Sequence, residues 1–468
     1  MHRRPALMAA LLLCVSCSDD APSDAGVPSD AGADAGAVTD AGAVTDAGAV
    51  TDAGADAAAA PDAGAATDAG AFDAGMEPTE VLRPVPGELT IIQIRLPGVL
   101  QLGEAAILVG PDGTIVLMDV GNSSHDDEVR AMVRALNTSW ITPANGFPRV
   151  RDPLEVEWIV ISHFHADHVG GYADLVTGAD PVRVTRGVVH RGWTDVGGAI
   201  TESDYQEACD LLQGTALDVP LCHASPDAPC DPGAFAGAYP ATACDGLFRG
   251  DLDDALDDGA GAPSYLDLGG GARMVFVASN GWVSDGTTAT AVAPFGHEDS
   301  NEENARSIAT VIEHGSFRYH WGGDMTGSGD PGEPDVESHL VAVAGPRFYG
   351  PLGSDVIHAH HHVRRTSSNA TFVAATAPSD GRSRNVIGGI NGGHVGSPHG
   401  DVLMRFGDDG RLGEGRIWIT MSAAGGGSHP ALIDADADVI VQTLGGGSGY
   451  RVQAARATPE SRAFTTVR

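Results

Sequence analysis

The residues best placed to do chemistry lie in one ten-residue stretch, Ser162–Gly171, with the sequence SHFHADHVGG. Within six positions it holds His163, His165, Asp167 and His168. Neutral imidazole and carboxylate are the usual protein ligands of zinc and related divalent ions. His163 and His165 are two apart, so on extended backbone both point to one side. Asp167 and His168 follow as the chain turns and approach the same centre from another direction. Four such ligands are more than one open site takes. The spacing therefore points to two adjacent divalent metals that activate water and clamp an acyl or phosphoryl oxygen.

A rigid scaffold must hold that cluster at a strand end, where proteins commonly place their chemistry. Val156–Ile161 (VEWIVI) reads as a buried strand before it, and Tyr172–Thr177 continues after two glycines as a helix. Upstream, Leu89–Leu96, Glu104–Val109 and Thr114–Met118 read as strands, the last two joined through the Pro111-Asp112-Gly113 turn. Asp119 closes the third. His125–Leu136 carries Val129, Met132, Val133 and Leu136 at helical spacing, with acids in its first turn. Downstream, Ser307–Glu313 and Phe317–Trp321 form a predicted hairpin over His314-Gly315-Ser316, ending at Gly323-Asp324. Ser354–Arg365 (SDVIHAHHHVRR) is a short strand running into a histidine cluster. Asp401–Phe406 reads as a helix opened by Ser397-Pro398-His399, and Arg416–Ser422 as a closing strand.

HFHADH resembles the H-x-H-x-D-H motif of the metallo-β-lactamase superfamily. The block from Asn301 to Gly327, with its hairpin and Gly-Asp, and the later His361-His362 look like the ComEC-type branch, the hydrolase domain of DNA-uptake proteins. The resemblance implies a four-layer αββα sandwich of the α/β class. It also implies a metal set of His163, His165, Asp167, His168, Asp324 as the bridging carboxylate, and one of His361 and His362. Asp119 would support the site by hydrogen bonding. Asp167 would also position or accept a proton, and His399 would touch substrate or transfer a proton, with His394 ranked below it. Val363-Arg364 replaces the branch's Gly-Ser after the paired histidines. His358 and His360 add ambiguity there. The superfamily's third histidine has no plain counterpart. Glu303 and Asn304 stand near its place, His297 lies upstream, and His190 follows a buried strand. Arg364 and Arg365 adjoin the site, and planar guanidinium suits phosphate.

The rest of the chain is organised around that domain. Residues 1–17 read as an export signal with a possible lipobox, Cys17 being the lipidated residue. Residues 18–80 are an Asp/Ala/Gly-rich tether, too poor in apolar surface to fold. Residues 85–425 form the catalytic domain, with a Cys-rich insertion at 202–262, and 426–468 a hairpin tail. Cys209, Cys222, Cys230 and Cys244 in an exported chain read as two disulfides with three possible pairings. The 12 aspartates of 18–75 and the two arginines before them leave −26 of the formal −36 on residues 76–468. That charge argues against strong general nucleic-acid affinity, which rests on Lys and Arg neutralising phosphates. No later segment is long and apolar enough to span a bilayer, so the expected membrane link is the lipid alone.

The expected protein is an envelope-bound or secreted hydrolase with two divalent ions, zinc first, manganese or iron also fitting. A phosphodiester is the leading substrate. The alternatives are an ester, thioester, lactone or β-lactam, or a surface lipoprotein that only binds metal.

Overall fold

The computed structural model describes residues 80–98, 102–192, 211, 218–222, 244–253, 262–292, 300–328, 334–456 and 459–468. The signal, Cys17, nearly all of the tether, His297, Cys209 and Cys230 lie outside the described residues.

Two sheets account for the described strands. The first is built from β1 Thr90–Gln93, β2 Ala106–Val109, β3 Ile115–Met118, β4 Glu155–Ile161, β5 Arg183–His190 and β6 Asp218–Pro220. The second takes β7 Arg249–Asp251, β8 Ala262–Asp267, β9 Arg273–Ser279, β10 Trp282–Ser284, β11 Ala289–Ala291, β12 Ala309–His314, β13 Phe317–Gly322, β14 Val356–His358, β15 Asn385–Gly388, β16 Ile417–Ile419 and β17 Leu432–Asp434. The chain then returns to the first sheet with β18 Val439–Leu444, β19 Gly449–Ala454 and β20 Ser461–Thr465. The order of the first sheet is β20-β19-β18-β1-β2-β3-β4-β5-β6, and the second runs β11-β10-β9-β12-β13-β14-β15-β16-β17, with β8 pairing with β9 and β7 with β8.

Strand alternation assigns the faces. Leu108, Met118, Trp158 and Val160 of the first sheet meet Phe276, Ile312, Tyr319, Trp321 and Trp418 of the second in one buried layer. Their neighbours Ile107, Leu117, Ile159 and Ile161 face outward, against Val129 and Val133 of the helix Asp126–Ala135 and Leu175 of the helix Tyr172–Thr177. On the far side, Val277, Val311, Ile357 and Ile419 pack against Leu340, Phe372, Val373, Leu403 and Phe406 from the helices Val336–Val343, Ala370–Thr376 and Gly400–Gly407. The result is the expected αββα layering. Each fully buried large apolar side chain contributes about 1.5–3 kcal/mol, so the central layer holds the two sheets in fixed apposition.

The hairpin appears as expected, with Ala309 opposite Gly322 and His314 opposite Phe317. Residues 426–468 differ from expectation. Their hairpin is no separate tail, because β18 pairs antiparallel with β1 from Thr90↔Gln442 to Gln93↔Val439. The reason is that β1 is buried along its whole length, so the backbone N–H and C=O groups on the edge away from β2 need a strand partner.

Candidate metal centre

The cluster sits where β4 of the first sheet and β13 and β14 of the second release their chains. Ser162–His165 leaves β4 extended, with His165 as the residue before the short helix Ala166–Val169. Gly171 packs so closely that a Cβ would lie 2.8 Å from the Val120 carbonyl oxygen. Gly323 likewise lies over Ser162, where a Cβ would be 2.5 Å from its Oγ. These approaches explain the Gly-Gly exit and the Gly-Asp pair. Glycine lets the Asp324 loop close onto the histidine loop.

Asp324 is the centre of the arrangement. Its Oδ2 lies 3.3 Å from His168 Nε2, 3.3 Å from His362 Nε2, 3.9 Å from His361 Nε2 and 4.0 Å from His163 Nε2. His165 Nδ1 is 3.1 Å from His163 Nε2. Asp167 Oδ2 is 3.3 Å from His362 Nε2 and 3.9 Å from His168 Nε2. Three candidate ligand groups emerge: His163 and His165 with Asp324, Glu104, His168 and His362 with the same Asp324, and Asp167 with His362 and His394.

The hydrogen bonds fix which ring nitrogens face inward. His168 Nδ1–H donates to Asp119 Oδ2 at 2.8 Å. His362 Nδ1–H donates to the Gly389 carbonyl at 2.9 Å. Ser162 Oγ–H donates to Asp119 Oδ2, so the hydroxyl oxygen accepts from His163 Nδ1–H at 3.0 Å. The Nε2 lone pairs of all three rings therefore point at Asp324. His168 Nε2 and His362 Nε2 stand 3.3 Å apart, a repulsive pairing of lone pairs unless a cation or proton lies between them. Asp324 Oδ1 is buried without a hydrogen-bond partner. Converging acceptors and an unsatisfied buried carboxylate oxygen are the donor set a divalent cation requires.

The electrostatics agree. Burial works against charge on His168 and His362, yet the nearby carboxylates, Asp324 foremost, hold both well above the usual imidazole range. Burial alone would raise Asp167 and Asp324, but His168 and the other imidazoles hold both well below the carboxylate range. Burial, reinforced by the charge on His168, keeps His163 well below its ordinary value. Negative charge at this centre asks for a cation.

The other expected residues fall out as follows. Asp119 touches no inward nitrogen and instead holds Ser162 and His168, accepting from Ser162 N at 2.7 Å. Glu303 is engaged elsewhere. Its carboxylate takes Arg191 Nε and Nη2, each at 2.7 Å, and accepts Phe164 N–H at 2.8 Å. It anchors the loop between His163 and His165. Asn304 Nδ2 is 3.3 Å from His361 Nε2, so the pair occupies the side where a third histidine was sought. His190 is buried beside Phe164, with Nδ1 3.2 Å from Gly192 N, outside the ligand groups. His399 is not brought to the ligand groups either; it caps the helix Gly400–Gly407, its Nδ1 accepting from Asp401 N. A cap needs an acceptor at that position, and His399 supplies it. His358 pairs with Glu104 at 2.5 Å and His360 with Glu337 at 2.7 Å, so neither faces the centre. Arg364 is half-buried and Arg365 exposed. Of the four cysteines of the insertion, Cys222 and Cys244 form a disulfide.

One contributor, Glu104, carries no distinct signal in the sequence. Glu104 also lies 3.0 Å from His362 Nδ1, behind the ring. An acid at the mouth of an otherwise apolar strand was the one available clue. His394 stacks on His362, ring centroids 3.7 Å apart at 21°.

The backbone at the paired histidines is unusual. His361, His362 and Val363 have φ of 51°, 51° and 62°, three left-handed residues in succession. Val363 takes it with a β-branched side chain, where glycine would adopt the same conformation without a Cβ penalty.

With the geometry in hand, the comparisons are plain. Residues 101–235 match the family model of the Metallo-beta-lactamase superfamily. That span contains Asp119 and the whole HFHADH motif. Over that span the chain is similar to a metallo-beta-lactamase superfamily domain. Among solved structures, a Parabacteroides distasonis protein classed as a metal-dependent hydrolase aligns at 10% identity over 67% of this chain and 88% of its own, TM-score 0.30. A Cronobacter sakazakii metallo-beta-lactamase bearing mutations of its HARLDQ motif aligns at 16% identity over 58% and 79%, TM-score 0.25. Zn(2+)-bound PqqB from Methylobacterium extorquens aligns at 11% identity over 57% and 71%, TM-score 0.24. Similarity at this level assigns no substrate. No curated protein matches the chain.

Proposed function

We propose that the protein is a metal-dependent hydrolase acting on phosphodiesters. The observation that carries this reading is the convergence of His163, His168 and His362 lone pairs on the buried, unsatisfied Asp324. His163 and His165 would hold one divalent ion, and Asp167, His168 and His362 a second, with Asp324 shared. A divalent cation bound there supplies Lewis-acid activation of water and of the substrate oxygen. Asp119 fixes the His168 tautomer and orientation. Glu303 holds the Phe164 amide so that His163 and His165 keep their spacing. Asp167, one-seventh exposed at its side chain, is the carboxylate best placed to take a proton from water.

Arg364 supports an anionic substrate. Among the described residues its guanidinium has no hydrogen-bond or ion-pair partner, and its charge acts on both His361 and His394. A half-buried cation left unpaired beside a metal centre suits a phosphate oxygen. Metal content of the wild type beside Asp324→Ala and His163→Ala, followed by bis-p-nitrophenyl phosphate, a lactone and nitrocefin as substrates, tests the reading. About two ions per chain, fewer in each variant, and turnover of the phosphodiester are expected. Turnover of the lactone or nitrocefin alone moves the protein to acyl chemistry. A folded protein without metal removes the hydrolase reading.

We also propose export, with Cys17 lipidated. The Arg3-Arg4 and Ala6–Val15 pattern supports it, and the Cys222–Cys244 disulfide suits an oxidising compartment. Labelling with an alkyne fatty acid should mark the wild type and spare Cys17→Ala; equal labelling of both would overturn it.

A further inference from the structure

We propose that His394 is a substrate-contacting hydrogen-bond donor, presenting Nε2–H to an anionic oxygen of the bound phosphodiester. This deepens the function proposed above and rests on it for the substrate class. The ring is fully buried. Its Nδ1 lies 2.9 Å from the backbone nitrogen of Asn391. A backbone N–H can only donate, so Nδ1 holds the lone pair and the neutral ring carries its proton on Nε2. This is the opposite tautomer to His163, His168 and His362, which present lone pairs. His394 therefore faces the centre as a donor, where the others face it as ligands.

Among the described residues nothing uses that donor. Nε2 is buried with no hydrogen-bond partner, and the nearest carboxylate oxygen, Asp167 Oδ2, is 3.8 Å away, too far for a hydrogen bond. Leaving a donor buried and unpaired carries a desolvation cost, which an incoming acceptor recovers. The ring's orientation is set by stacking on His362 and by the turn in which His394 N donates to Asn391 O and Ser397 N to His394 O. Such preorganised donors are the kind that stabilise developing negative charge. The positive charge of Arg364 also acts on this ring. No bond is made or broken by His394 itself.

The test uses the full metal-loaded chain as wild type, His394→Phe and His394→Gln. Three quantities are read: metal per chain, affinity for inorganic phosphate by calorimetry, and kcat on bis-p-nitrophenyl phosphate. Phe keeps the stacking and removes the donor; Gln restores an N–H near the Nε2 position. We expect unchanged metal in both variants, phosphate binding at least about tenfold weaker in His394→Phe, and kcat lower by about 10²–10³. His394→Gln should recover part of both. In the wild type, nitrogen NMR of the labelled ring should show the proton on Nε2. Metal loss in His394→Phe that matches the loss in His163→Ala would make His394 a ligand and overturn the proposal. So would a proton on Nδ1, a wild type that binds no phosphate, or phosphate affinity indifferent to the substitution. Phosphate binding that depends on His394 in a protein that cleaves no phosphodiester would defeat the proposed function while leaving the donor in place.

Discussion

Asp119 takes a left-handed φ of 58° at the end of β3, and the turn aims its carboxylate back at Ser162 and His168. Aspartate tolerates that conformation better than most residues. An amide there would offer one acceptor oxygen where three donors now converge. Asp119→Asn should therefore leave the fold intact and weaken metal binding about 10–100-fold, the usual effect of losing an orienting partner behind a ligand; a chelator competition titration measures it. Val363 is the opposite case. Its left-handed φ costs about 1–2 kcal/mol, while its buried side chain returns about 1.5–3 kcal/mol. In Val363→Gly the relief offsets much of the loss, leaving about 1–1.5 kcal/mol once the backbone entropy of glycine is counted. Val311→Gly, in the extended strand β12, relieves no strain and should cost about 3 kcal/mol. Paired melting curves would show the difference; equal losses would mean that the turn at 361–363 carries no strain.

The elements that position these residues were legible to different degrees. The strand into HFHADH, the helix after Asp119 and the hairpin before Asp324 each announce themselves through a two- or 3.6-residue period closed by a turn signal. Glu303 and His394 do not, since their roles depend on which distant side chain arrives beside them. Arg191, just beyond β5, meets Glu303 from the segment before β12, 112 residues apart. No local period encodes that meeting. The pairing of β18 with β1 is hidden for the same reason, because β1 lies over 300 residues earlier. The Arg191–Glu303 pair gives this element-scale account a test. Both side chains are fully buried. Arg191→Met would leave the Glu303 carboxylate buried beside Phe164 N–H without its main counter-charge. Breaking one partner of such a pair costs about 3–5 kcal/mol. Denaturant titration should show that loss, and metal affinity should fall with it because the Phe164 amide loses its fixed acceptor.

At the scale of the molecule, the two sheets meet through a largely apolar layer, and at this edge the ligands come from both. β4 feeds His163, His165, Asp167 and His168, while β13 and β14 feed Asp324 and His362. A bound cation therefore ties the two sheets together and should stabilise the whole domain by mass action, about 2.7 kcal/mol at one hundred times its Kd. The sign of the pH dependence differs between the two states. Without a cation, His168 and His362 are raised by their carboxylate neighbours. Their contribution is complete below the unfolded imidazole value near 6.5 and is lost as pH rises through their folded values. With a cation, the same nitrogens must be unprotonated, so acid competes with the metal and higher pH favours it. The contribution of His168 and His362 to the melting temperature of the metal-free protein should thus fall from pH 6 towards alkaline values, while the gain on adding zinc should grow over the same range. Scanning calorimetry with and without chelator, at about pH 6 and pH 8, reads both trends. A zinc increment that shrinks as pH rises would mean that the ion binds somewhere other than these imidazoles.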